Sequence, residues 1–227
     1  MTPISTKIKS KGYWRIRIRP TEYMPKRIAN ISDLYPLVER LSVQFRGWYF
    51  PFVETNVKSL GIHKSHVEQE VDWQNFIELW RFYQSGQFAY LGALRTDWSA
   101  PVAAFQPPGQ VVVLEDLVAK CAEALEFAAR LSDSPAGSNG MWIQIGLHGL
   151  QGARLASFAP MTNIFLQGRT VAFGDGELVI DKDIAKGQLL GEAEQLAIQW
   201  AQEMLSYFTW NPDRAELEAI LGQLRRT

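Results

Sequence analysis

Large aromatic side chains crowd the stretch from Phe45 to Leu94, and this feature constrains the fold more than any other. They form two dense groups, which are Phe45, Trp48, Tyr49, Phe50 and Phe52 and then Trp73, Phe76, Trp80, Phe82, Tyr83 and Phe88. Each such ring buries roughly 150–250 Å² when it is packed. A chain of 227 residues is long enough to enclose them, so this stretch predicts the main hydrophobic core.

Two residue periods predict the elements around that core. Residues 13–19 alternate, with Trp14, Ile16 and Ile18 on one side, which is the period of a strand with one buried face. Apolar residues at helical spacing predict long helices over 114–131 and 192–210 and a last helix after Asn211. Strands and helices are interspersed without a strict βαβ rhythm. The sequence therefore predicts an α+β fold with a mixed or antiparallel sheet and about three long helices packed on it.

Residues 73–83 leave two interpretations open. Apolar side chains recur at spacings of three and four, which favours a helix that ends at Gly86. The alternative is a β-hairpin that turns at Ser85 and Gly86. Of the two we expect the helix.

Composition along the chain suggests one main domain. Residues 1–11 are polar and rich in lysine, so we expect a flexible basic N-terminus. Residues 12–227 are predicted to form a single α+β domain. Three prolines and a glycine mark a candidate seam at residues 96–110.

Few residues suit catalysis or metal binding. Cys121 is the only cysteine, which excludes an intramolecular disulfide and a cysteine-based zinc site, and it lies on the apolar stripe of a predicted helix. His63 and His66 are close in sequence, but no third ligand is apparent. Nucleophile-elbow, phosphate-loop and dinucleotide-binding motifs are absent from the sequence. We therefore expect no catalytic residues, no metal and no cofactor.

Positive charge is concentrated at the start of the chain. Residues 1–27 carry eight lysines and arginines against one glutamate, a net charge of +7, whereas the whole chain carries −1 and its remainder therefore −8. The candidate nucleic-acid-binding residues in this segment are Lys7, Lys9, Lys11, Arg15, Arg17 and Arg19. Phosphate contacts from such a row would give salt-sensitive binding.

An internal partner for the arginines is the competing interpretation. Glu68, Glu70 and Asp72 form an acidic ladder with the same period of two. If the two strands were neighbours, opposite charges would lie side by side, and each pair would stabilise the sheet by about 0.2–1 kcal/mol. We favour this pairing over a free basic face.

Two segments resemble a group of uncharacterised bacterial proteins. The residues that carry the resemblance are Arg46-Gly47-Trp48-Tyr49-Phe50-Pro51 and the run from Leu79 to Phe88. Some members of that group occur beside Schlafen AlbA-type DNA-binding domains. The resemblance covers about the first hundred residues, supplies no catalytic residues and implies a bacterial accessory module.

These observations favour a non-enzymatic binding or regulatory module that acts through protein–protein contacts. The partner is then another protein or a second copy of the chain. The alternative is a nucleic-acid-binding module that uses the basic strand. No apolar run suits a signal peptide or a membrane span, so we expect a cytoplasmic protein without a membrane partner.

Overall fold

A computed structural model gives the structure of this chain. It describes residues 3–53, 60–99, 109–150, 152–157 and 176–225, and the backbone of residues 165–170. The strands are, in chain order, β1 (Tyr13–Pro20), β2 (Val43–Gln44), β3 (Tyr49–Phe50), β4 (Leu60–Ile62), β5 (His66–Trp73), β6 (Phe76–Tyr83), β7 (Phe88–Ala93), β8 (Val111–Val113), β9 (Gly140–His148), β10 (Arg154–Ala156), β11 (Phe165–Thr170) and β12 (Glu177–Ala185).

Six helices lie in the described part of the chain, and three of them are long. The helices are α1 (Pro3–Lys9), α2 (Leu34–Leu41), α3 (Arg95–Trp98), α4 (Leu114–Ser132), α5 (Lys186–Ser206) and α6 (Arg214–Leu224). A 3₁₀ turn, Ile31–Asp33, leads into α2. Non-helical backbone angles at Glu192 kink α5. The side chain of Asp213 caps α6 by accepting a hydrogen bond from the Glu216 N–H.

Seven antiparallel strands form the main sheet in the order β12-β9-β1-β7-β6-β5-β4. A three-stranded sheet has the order β11-β10-β8, and β2 pairs with β3 in a small hairpin. In the three-stranded sheet β8 and β10 run parallel. The predicted α+β class with a largely antiparallel sheet is confirmed, although short helices accompany the three long ones.

One face of the seven-stranded sheet carries the main core. Alternate residues of β1, β9 and β12 point into it, and α4 and α5 cover it. Trp14, Trp80 and Trp200 are at most 3 % exposed there, as their apolar stripes predict. Trp48, which lies in the same aromatic stretch, is half-buried.

The helix expected over residues 73–83 is wrong, and the hairpin alternative is correct. Residues 76–83 form β6, which turns at Ser85 and Gly86 into the antiparallel strand β7. β6 also pairs with β5, which precedes it through a turn at Gln74 and Asn75. β6 is covered on both faces: Trp80 and Phe82 pack in the main core, whereas Ile77 and Leu79 pack on the other side. A strand buried on both faces loses the alternation that identifies strands, and its apolar residues imitate helical spacing.

The N-terminal segment is a helix rather than the expected flexible tail. Ile4 and Ile8, one turn apart on α1, are buried against Ile77, Leu79 and Ala93. α1 therefore lies on the face of the main sheet opposite α4 and α5, over β6 and β7. That face is called the open face below.

The candidate seam falls mainly on residues 100–108, which lie outside the described residues. The two flanks of the seam are tied together. The buried Asp97 carboxylate accepts hydrogen bonds from the backbone N–H groups of Gly12 and Gly109 at 2.8 Å. Thr96 donates its hydroxyl to the carbonyl of Val111 at 2.9 Å.

Candidate nucleic-acid interface

The three arginines of β1 lie in a row on the open face. Their neighbours in the strand, Ile16 and Ile18, are fully buried in the main core. Because side chains alternate along a strand, the arginines point the opposite way, about 6–7 Å apart. Arg17 and Arg19 are exposed and Arg15 is half-buried.

The expected pairing between this row and the acidic ladder is wrong. β1 lies between β9 and β7, and both β7 and β6 separate it from β5. Arg15 faces Leu91 and Gly146, and Arg17 faces Ala89 and Gln144. None of these neighbours is acidic. Among the residues that the structure describes, Arg15, Arg17 and Arg19 form no ion pair, and the buried Nε of Arg15 has no hydrogen-bond partner.

The acidic ladder has other partners. Glu68 accepts a hydrogen bond from Arg81 Nε at 2.6 Å, and Asp72 binds Lys7 Nζ at 2.7 Å. Burial raises the pKa of Glu68, but the hydrogen bonds from Arg81 and His63 outweigh it and hold the pKa below its ordinary value. Glu68 and Asp72 are thus neutralised by Arg81 of β6 and Lys7 of α1 rather than by the arginines of β1.

A basic cavity of about 420 Å³ lies between α1 and the arginine row. Lys9, Arg15, Arg17 and Arg81 line it together with Tyr83 and Ser5. Its floor includes Ala89, whose small side chain leaves the space between Arg17 and Arg81 open. Three cationic side chains, Lys9, Arg15 and Arg17, thus converge on one hollow beside the Glu68-bound Arg81, and the hollow can hold an anionic group such as a phosphate.

An aromatic side chain extends the basic row at its other end. The Arg19 guanidinium lies 4.7 Å from the ring centroid of Trp142, which is half-buried on β9. Trp142 Nε1 donates to Asp181 at 3.1 Å, which fixes the orientation of the ring. Tyr13 continues the same side of β1 and stacks on His148 at 5.0 Å. Such rings beside cations suit the stacking of nucleic-acid bases.

The three candidate lysines have different environments. Lys9 is exposed and lines the basic cavity. Lys7 points to the other side of α1 and binds Asp72. Lys11 Nζ donates to the carbonyl of Asp97 at 2.7 Å and lies 4.0 Å from the centroid of Trp98. Of the lysines, therefore, the structure brings Lys9 alone to the arginine row.

A second concentration of charge lies buried beneath the inner face of the sheet. Glu123 of α4 accepts hydrogen bonds from Arg46 Nη2 at 3.0 Å and from Lys120 Nζ at 2.8 Å, and Asp116 pairs with the same arginine. Burial raises the pKa of Glu123, but the two cations outweigh it and lower that pKa. The adjoining cavity holds about 20 Å³, room for one water, so this ion cluster leaves no space for a larger ligand.

Glu78 adjoins this ion cluster and makes folding depend on pH. Its carboxylate accepts from the Phe52 N–H at 2.9 Å and the Tyr90 hydroxyl at 3.1 Å. Burial raises the pKa of Glu78 to about 7, against the lowering effect of Lys120. Because the unfolded carboxyl has an ordinary pKa, the folded state holds the extra proton. Its contribution to stability is therefore complete below about pH 4.5 and is lost as the pH rises through 7.

Replacing Glu78 by glutamine should remove that loss. The amide can still accept from Phe52 and can donate to the Tyr90 oxygen. Relative to wild type, the variant should gain up to about 3 kcal/mol of unfolding free energy between pH 4.5 and pH 8. Urea unfolding of both proteins across this range measures the change. Parallel pH profiles for the two proteins would contradict the assignment.

Two further sequence interpretations concern single residues. Cys121 is fully buried and burial raises its pKa to about 12, in agreement with a core thiol. His63 and His66 do gain a third neighbour, because Glu68 lies beside them. Sequence reasoning missed Glu68, although its place two residues after His66 on one strand puts both on the same face.

Comparisons with known proteins give no family for this chain. It has no match among family models, among curated proteins or among solved structures. The resemblance to bacterial accessory proteins therefore stays a prediction. None of the helices that the structure describes has both the length and the apolar character needed to cross a bilayer.

Proposed function

We propose that this protein binds single-stranded nucleic acid on the open face of its main sheet. The observation that carries the proposal is the row of Arg15, Arg17 and Arg19, which has no ion-pair partner in the described part of the chain. Arginines without an ion-pair partner on the open face can give their charge and their hydrogen bonds to phosphate oxygens. Lys9 and the basic cavity add to the same surface.

The width of the basic surface favours a single strand over a duplex. Acidic residues of β12 lie on one side of it, and those of β5 lie on the other. Five strand spacings of about 4.8 Å separate β12 from β5, whereas the arginines of this surface lie on β1 and β6, which are only two spacings or about 10 Å apart. A duplex would bring a second phosphate backbone toward one acidic border. A single strand has only one phosphate backbone to place on the basic surface, and its bases are free to stack on rings such as Trp142.

Binding of a labelled single-stranded oligonucleotide by fluorescence anisotropy tests the proposal. Wild type is compared with Arg15→Ala/Arg17→Ala/Arg19→Ala at low salt, with circular dichroism to show that both are folded. We expect the triple variant to bind about tenfold or more weakly, because three phosphate contacts are lost.

A charge-matched variant provides the control. Arg40, Arg154 and Arg225 are exposed arginines that lie outside the main sheet. Their replacement by alanine changes the net charge by the same amount and should leave affinity within about twofold of wild type. Equal losses in the two triple variants would mean that net charge alone governs binding. Unchanged affinity in the β1 variant would contradict the proposal.

A protein–protein contact is the second candidate function, and Trp73 favours it. This tryptophan is 48 % exposed at the end of β5, where it packs on Phe52 and Phe76. Tyr49, nearby in the aromatic stretch, is 47 % exposed. Exposed aromatics of this kind are typical anchors of protein interfaces.

The testable partner for Trp73 is a second copy of the chain. If Trp73 anchors self-association, wild type should sediment faster as its concentration rises, whereas Trp73→Ser should remain monomeric. Sedimentation velocity over a wide concentration range measures this difference. Monomeric behaviour of both proteins would exclude self-association through this residue.

A further inference from the structure

We propose that His63, His66 and Glu68 form a binding site for Zn²⁺ at the edge of the main sheet. One donor atom from each residue lies within 4.8 Å of the others. Among the residues that the structure describes, these three form the one group of three or more His, Cys, Asp or Glu side chains that lie close enough to share an ion. The inference does not depend on nucleic-acid binding, because the metal alone tests it.

A tight turn brings the two histidines together. β4 and β5 are joined through Lys64 and Ser65, and the His63 N–H donates to the His66 carbonyl at 2.9 Å. Residues that flank such a turn are cross-strand neighbours with Cβ atoms about 4.5–5.5 Å apart. The two imidazoles accordingly stack, with centroids 4.4 Å apart and an angle of 11° between their planes.

Glu68 joins them because of strand alternation and a glycine. It lies two residues after His66 and thus on the same face of β5, where Gly61 is its cross-strand partner. A Cβ atom on Gly61 would lie only 3.0 Å from His63 Nε2. The absence of that atom lets the His63 ring fold over the strand and reach Glu68 Oε1 at 3.0 Å.

Arg81 supplies the outer hydrogen bond that metal-binding carboxylates usually have. Its Nε donates to Glu68 Oε2 at 2.6 Å, which orients the carboxylate and leaves Oε1 toward the histidines. The same arginine lines the basic cavity. The proposed metal site is therefore adjacent to the surface assigned to phosphate binding.

The donor set matches the preferences of zinc. Two imidazoles and one carboxylate form the ligand set of many catalytic zinc sites, which keep a fourth position for water or another oxygen ligand. Bonds of about 2.0–2.2 Å need donors closer together than they now are, so the exposed His63 ring has to rotate out of its stack on His66 when the metal binds.

Titration of chelator-treated protein without a polyhistidine tag tests the site. Isothermal titration with ZnCl₂ should give one equivalent per chain, whereas MgCl₂ and CaCl₂ should give no binding, because these ions prefer all-oxygen sites. His63→Ala and His66→Ala should each weaken zinc binding by at least about tenfold, since even loss of an outer-sphere partner costs 10–100-fold. Gly61→Val keeps all three donors but blocks the His63 ring, so it should weaken binding as well.

Matched controls separate this site from the rest of the chain. His148→Gln removes the third histidine, whose imidazole pairs with Glu177, and Lys64→Ala removes the charged side chain of the turn but no proposed ligand. Both variants should bind zinc like wild type. Absence of a zinc equivalent in wild type, or equal affinity in wild type and His63→Ala/His66→Ala, would overturn the proposal. His63 is 45 % exposed, so its variant is expected to fold.

Discussion

Glu123→Ala is expected to lower the free energy of unfolding by about 3–5 kcal/mol, because it leaves the buried Lys120 without its ion-pair partner and Arg46 with Asp116 alone. Lys120 and Glu123 are almost fully buried, and the Arg46 side chain is 9 % exposed. Their mutual hydrogen bonds offset the cost of removing three charges from water. Without Glu123, the Lys120 ammonium is still removed from water but has lost the hydrogen-bonded carboxylate that offset its desolvation.

A neighbouring glutamate on the same helix provides the control. Glu126 pairs with Arg130 four residues later, and both side chains are more than a third exposed. Exposed pairs of this kind stabilise proteins by about 0–1 kcal/mol, so Glu126→Ala should change stability little. Chemical unfolding of wild type and both variants at pH 7 measures the difference. Equal effects of the two substitutions would show that the ion cluster is solvated rather than buried.

Local patterns predicted much of the fold. The helix expected over residues 114–131 is α4, and the strand expected from Tyr13 is β1. Both elements keep one apolar face and one polar face, so their period is visible in the sequence. β6 is buried on both sides and gives no such contrast, which is why its apolar residues were assigned to a helix.

Long-range topology could not be predicted in the same way. The matching periods of the two charged ladders say nothing about which strands lie between them, and β7 and β6 do. α1 was missed because its apolar stripe consists of Ile4 and Ile8 among polar residues. The basic cavity depends on both of these features, so sequence reasoning found the arginines but not the hollow that Arg15 and Arg17 line.

Arg15→Ala/Arg17→Ala/Arg19→Ala is expected to separate binding from stability. The side chains form no ion pair in the described structure, and two of the three are exposed. Exposed substitutions usually change stability by less than about 0.5 kcal/mol each, so the variant should stay folded. Its affinity for single strands should nevertheless fall, because the phosphate contacts are lost.

The strand order also predicts that Arg17 and Glu70 do not interact. Three strand spacings of about 4.8 Å separate β1 from β5, so the two residues are too far apart to pair. In a double-mutant cycle, Arg17→Glu and Glu70→Arg should have additive effects on stability within about 0.5 kcal/mol. Recovery of stability in the double variant would instead support the interpretation in which the arginines of β1 pair with the acids of β5.

The salt dependence of binding tests the central claim most directly. Three phosphate contacts to a single strand give a slope of about −2 for log K against log salt, or about a 20-fold loss of affinity between 50 and 200 mM salt. We expect wild type to show a slope at least this steep, and the triple arginine variant to be shallower by about 2. The same slope in both proteins would contradict nucleic-acid binding through Arg15, Arg17 and Arg19.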